Sequence, residues 1–133
     1  MAQIEFIGRE DNPQAIVVRT DAVVSGIQFL TPLSFGQQLG LMSRPEGFVV
    51  PLHKHNLVSR SIEQTQEVLV IRKGTCEVDL VSLDGAEVSV KLSAGDVIML
   101  ANGAHRVRMT SACEILEIKQ GPYTEALDKT ILE

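Results

Sequence analysis

The sequence predicts an all-β domain, a sandwich or barrel built from about eight to ten short strands. Three observations carry that prediction. Short β-rich runs are fenced by Gly, Asn, Asp and Ser along most of the chain. An Asp84-Gly85 pair sits between two runs that alternate apolar and polar residues, a strong hairpin signal. No window carries a sustained 3.6-residue apolar stripe with caps at its ends.

The clearest strands lie in the second half. Gln66–Arg72 (QEVLVIR) is β-branched and stops at Lys73-Gly74. Thr75–Leu83 alternates up to the Asp84-Gly85 turn, and Glu87–Leu92 alternates again until Ser93-Ala94-Gly95-Asp96. Val97–Leu100, Arg106–Met109 and Glu114–Ile118 follow. The first third gives weaker strands at Ala15–Arg19, Ile27–Leu30, Gln38–Ser43 and Phe48–Leu52. Pro13, Pro32, Pro45 and Pro51 punctuate it, as expected where proline is confined to strand ends and edges. Thr124–Leu132 is the one candidate for a short helix.

Bulk properties set the limits. The chain has 133 residues, one ordinary domain over residues 1–133, and 44% of them are apolar, enough for a single core. A net charge of −5 with no Lys/Arg block argues against nucleic acid as a partner. Met1–Asn12 lacks the basic and apolar sequence of a secretory signal, and the apolar runs are only a few residues long, so no membrane span is expected. The expected compartment is the cytoplasm. Cys76 and Cys113 are too few for a disulfide framework and read as reduced strand residues.

Chemistry gathers at three histidines and one carboxylate. His53-Lys54-His55 places two imidazoles on one face if the segment is extended, since residues i and i+2 of a strand point the same way. Two such rings can bind one ion at about 2.1 Å from each nitrogen, or can be an exposed pair on a loop. Glu67 opens the most apolar strand and shares a face with Leu69 and Ile71. A carboxylate aimed at an apolar interior needs a cation or a donor; otherwise it sits in water at the mouth or pairs with Arg60. His105 follows a Gly-Asp turn, an apolar strand and a glycine turn, as a ligand or as a turn residue.

These residues resemble the two motifs of the cupin superfamily. Gly47, five residues, His53-Lys54-His55, then Glu67, six residues and Gly74 follow the first motif. Gly95, five residues, Ala101-Asn102-Gly103 and His105 follow the second. The sequence departs from the pattern in three places. Eleven residues separate His55 from Glu67, where three or four are usual. Ala101 stands in place of proline, with one residue rather than two between Gly103 and His105. Met109 stands where an Asn is expected. Thr65-Gln66-Glu67 and Lys119-Gln120-Gly121-Pro122-Tyr123 resemble a group of small bacterial cupins that shares these departures.

The resemblance implies a double-stranded β-helix, or jelly-roll barrel, with its motif-bearing core at about residues 36–119. It implies one divalent transition metal held by His53, His55, Glu67 and His105. Three imidazoles and a carboxylate leave two positions of an octahedral ion open, which suits Fe, Mn, Ni or Co, and Zn remains possible. The expected function is then a metal-dependent enzyme acting on a small oxygen-rich acid or carbohydrate, of the isomerase, epimerase or dioxygenase type. The alternative is a non-catalytic binding or sensing module. Arg60, Glu117 and Lys119 are the candidate supporting residues. Glu117 and Lys119 share a strand face and matter if that face is inward, whereas Arg106 and Arg108 should point outward. A small-molecule ligand and a homodimer, formed through open sheet edges, are the expected partners.

Overall fold

The computed structural model of the chain describes residues 3–133; the first two residues of the stretch read for targeting lie outside them. Among the described residues ten strands form: β1 (Ile4–Gly8), β2 (Pro13–Val18), β3 (Gly26–Phe29), β4 (Gly40–Ser43), β5 (Glu67–Lys73), β6 (Thr75–Val81), β7 (Glu87–Ser93), β8 (Val97–Leu100), β9 (Ala104–Met109) and β10 (Glu114–Lys119). They make three antiparallel sheets: β1-β2-β8-β5-β10, β7-β6-β9 and the hairpin β3-β4. The fold is all-β and layered as a sandwich, and none of its sheets closes on itself.

The layering follows from the sequence patterns. β2 reads as a continuous buried run because its sheet is covered on both sides. Ala15 and Val17 join Leu69, Ile71, Ile98 and Leu100 in an inner core against Cys76, Val78 and Leu80 of β6. Ile16, Val18, Val68 and Met99 face the other way, under Leu30 and the partly buried Phe35, Leu39 and Leu41. β6 alternates because only one of its faces is covered: Cys76, Val78 and Leu80 are buried, while Glu77 and Asp79 face out. Burial and the neighbouring Cys113 push the Cys76 thiol up to about 11, so it stays protonated and inert at neutral pH.

Two motif glycines have structural reasons. Gly74 (φ 78°) turns β5 into β6 where a Cβ would meet the Ala112 carbonyl. Gly95 (φ 94°) turns β7 into β8, and a Cβ there would run into Thr20. The adjoining Asp96 is buried and ties this turn down. Its carboxylate accepts from the amides of Ser93 and Thr20, each at 2.9 Å, and from Arg19 at 3.3 Å.

Three expectations change. Phe48–Leu52 forms no strand and lies in a strandless segment over residues 44–66, exposed throughout except for the buried Gln66. Thr124–Leu132 gives only a 3-10 turn at Glu125–Leu127, which has no side-chain cap and buries nothing. β1, unanticipated, pairs along β2 and forms one edge of the large sheet. Among the described residues no helix is long and apolar enough to cross a membrane.

Candidate functional site

Glu67 begins β5 at the open end of the inner core. Its register partners are Leu100 on β8 and Lys119 on β10. Directly opposed residues of an antiparallel pair project to the same side, so Glu67, Lys119 and Glu117 share the face of Leu69 and Ile71. The face of β10 that carries Glu117 and Lys119 is therefore the inward one.

His105 comes from the opposite sheet. It pairs with Leu80 on β6 and points with Leu80 toward the inner core, whereas Arg106 and Arg108 point out. These two arginines bind Asp79 on the solvent face at 2.9 and 2.7 Å, and Arg108 also binds Glu77. His105 Nε2 lies 3.4 Å from Glu67 Oε1, closing the gap between the sheets at the mouth. Glu67 pairs with this histidine rather than with Arg60, which lies in the exposed loop.

The electrostatics of the rim divide its two carboxyls. His105 holds the Glu67 carboxyl down to about 2 by hydrogen bonding; partial burial opposes this, and Glu117 and Lys119 add to it. Glu117 moves the other way, pushed above the usual carboxylate range because its carboxyl lies against that of Glu67. Lys119 bonds Asp128 at 3.2 Å and sits 5.2 Å from the Tyr123 ring centre. Asp128 and Tyr123 thus belong to the rim. No spacing in the sequence marks Asp128, which reaches Lys119 from the turn after β10.

The other two histidines lie elsewhere. His53 and His55 are exposed in the 44–66 segment, their ring centres 5.3 Å apart and their planes at 70°. His53 Nδ1 is 2.7 Å from the Pro51 carbonyl, which can only accept, so Nδ1 is the donor and Nε2 is the nitrogen left for a ligand contact. The structure therefore brings Glu67 and His105 together and His53 and His55 together, but not the two pairs. Among the described residues no group of three or more His, Cys, Asp or Glu side chains is poised around one ion. The donor chemistry still fits a divalent transition ion, with an ionised carboxylate beside an imidazole in one place and two imidazoles in another.

A shallow cavity of about 270 Å³ lies apart from this rim, lined by Asn12, Phe35, Ser61, Ile62 and Gln66 among others. None of the four candidate ligands borders it. Comparison with protein-family models, with curated proteins and with solved structures finds no match, so the residues themselves carry the functional argument.

Proposed function

We propose that the chain is a metal-binding protein of the cupin type, a jelly-roll fold that holds one divalent transition metal through His53, His55, Glu67 and His105. In this reading it is an enzyme for a small oxygen-rich acid or carbohydrate. The observation that carries the reading is the Glu67–His105 pair. A carboxylate kept ionised against an apolar core and an imidazole from the facing sheet meet at one opening. The two motifs that resemble cupins supply these residues in order.

A bound ion there would polarise an oxygen of the substrate. The chain's own groups supply the rest. Glu117, whose proton affinity is raised by the neighbouring Glu67 carboxyl, is placed to exchange a proton with a ligand at the mouth. Lys119, held by Asp128, gives the rim an ammonium donor from which a ligand oxygen could accept. Both fit the isomerase, epimerase or dioxygenase class better than a purely structural role.

The test is elemental analysis of protein purified without chelator or added metal. About one iron, manganese, nickel, cobalt or zinc per chain is expected, and the E67Q/H105A variant should retain almost none. A wild-type protein free of metal that takes up none of these ions on titration ends the metal reading. Stoichiometric metal with no turnover of hydroxy acids or sugars would favour the binding or sensing module.

A further inference from the structure

We infer that the metal centre is completed between two copies of the chain: the His53–His55 segment of one copy adds as a strand to the open edge of β9 in the other. This inference rests on the four-ligand reading above and names the partner that reading lacks.

Two deficits in the same molecule point to it. The first is an unpartnered segment. Residues 44–66 contain no strand, yet Val49, Leu52, Leu57 and Val58 are exposed there, the two leucines completely. The second is a pair of unpartnered edges. β9 ends the three-stranded sheet and β10 ends the five-stranded one, and His105, Glu117 and Lys119 stand on those two strands. An open edge is a row of unpaired amides and carbonyls, ready to template another strand. Met109 on β9 and Leu116 and Ile118 on β10 are exposed as well.

One act pairs the free segment and the β9 edge. A strand laid beside β9 runs about 4.8 Å away and alternates its side chains across the sheet. In the register that turns His53 inward, His55 follows on the same face, and Val49 and Leu57 enter the core side with them. His53 Nε2, already freed by the Pro51 contact, would then face the mouth where His105 meets Glu67. Each copy carries one free segment and one free β9 edge, so a two-fold exchange pairs the segment and the β9 edge of both copies at once.

Each apolar side chain that leaves water removes roughly 60–120 Å². Val49 and Leu57 of the segment, with Met109 on β9, amount to roughly 180–360 Å² per copy on the core side, and the new ladder of backbone hydrogen bonds adds to this.

The test is complementation. A chain carrying H53A/H55A and a chain carrying E67Q/H105A, each with its own tag, are co-expressed, and the two-tag dimer is isolated and titrated with cobalt(II). Exchange predicts about half an ion per chain in this dimer, one per chain in the wild type and none in either variant alone. An ion-free mixed dimer beside a loaded wild type would overturn the inference and leave the four-ligand reading standing. A wild type that binds no ion would instead sink that reading. The exchange is then decided without metal, on unsubstituted protein refolded from equal parts ¹⁴N and ¹⁵N chains and treated with an amine cross-linker. Exchange predicts that about half of the Lys54–Lys119 links join chains of different isotope. Links confined to single-isotope pairs, or the absence of this link, would overturn it.

Discussion

Glu67 and His105 on one side, and His53 and His55 on the other, show what fixes a side chain in this molecule. Glu67 and His105 each sit on a strand whose backbone is laddered to a neighbour and whose alternate residues are anchored in the inner core. Their 3.4 Å approach is a consequence of two packed sheets. His53 and His55 have the same period-two spacing and stand on a segment with neither ladder nor core beneath it. Spacing sets which residues share a face. Only a partner strand sets where that face points.

The largest effects should separate these regions. Ile71 is fully buried in the inner core, four residues beyond Glu67 on β5. Ile71→Ala should lower the unfolding free energy by about 2–5 kcal/mol, measured by urea titration, because it leaves a cavity beneath the rim. Leu57 is fully exposed in the histidine segment, and Leu57→Ala should cost the dilute monomer less than about 0.5 kcal/mol. Equal losses at the two positions would mean that the histidine segment is packed as firmly as the inner core. A Leu57→Ala loss that grows with protein concentration would instead mark a segment buried between copies.

The same contrast explains how much was legible in advance. The strands from β5 to β10 could be read nearly to their ends because alternation, the Asp84-Gly85 turn and the glycines at 74 and 95 agree with one another. β1 was not legible: Ile4, Phe6 and Ile7 do not form a clean alternation in a short edge strand. Phe48–Leu52 was misread for the opposite reason. Its β-branched residues suit a strand, but local preference forms no strand without a neighbour to bond. At the site, the inward direction of Glu117 and Lys119 depended on the register of β10 against β5, which no residue of β10 states by itself. Asp128 had no sequence signal because its role is a contact across a turn.

Next in size is the acid response of the rim in metal-free protein. Glu67 has a folded-state value of about 2 against an ordinary 4.5, so the folded state favours its ionised form. Its contribution is fully present above the ordinary value and is lost as pH falls from about 4.5 toward 2. With the side chain partly exposed, screening brings the expected loss to about 1 kcal/mol. Thermal melts of wild type and Glu67→Gln across pH 2–6 should converge at the acid end and diverge toward pH 6. Parallel curves would mean that His105 does not hold the carboxylate in solution.

The smallest effect belongs to the outer face of the three-stranded sheet. Asp79 is held well below the usual carboxylate range, chiefly by Arg108, with Ser89 and Arg106 adding hydrogen bonds. This network is geometrically richer than the rim, yet both arginines are exposed and their attraction is shared with water. Arg108→Ala should therefore shift the melting temperature slightly in dilute buffer and not measurably in about 1 M salt, where the screening length is only about 3 Å. It should leave metal content unchanged, since Arg108 faces away from His105 across β9. A loss of metal on this substitution would mean that the outer face holds β9 in place for the site, and that the division between a fixed rim and a solvated surface is drawn in the wrong place.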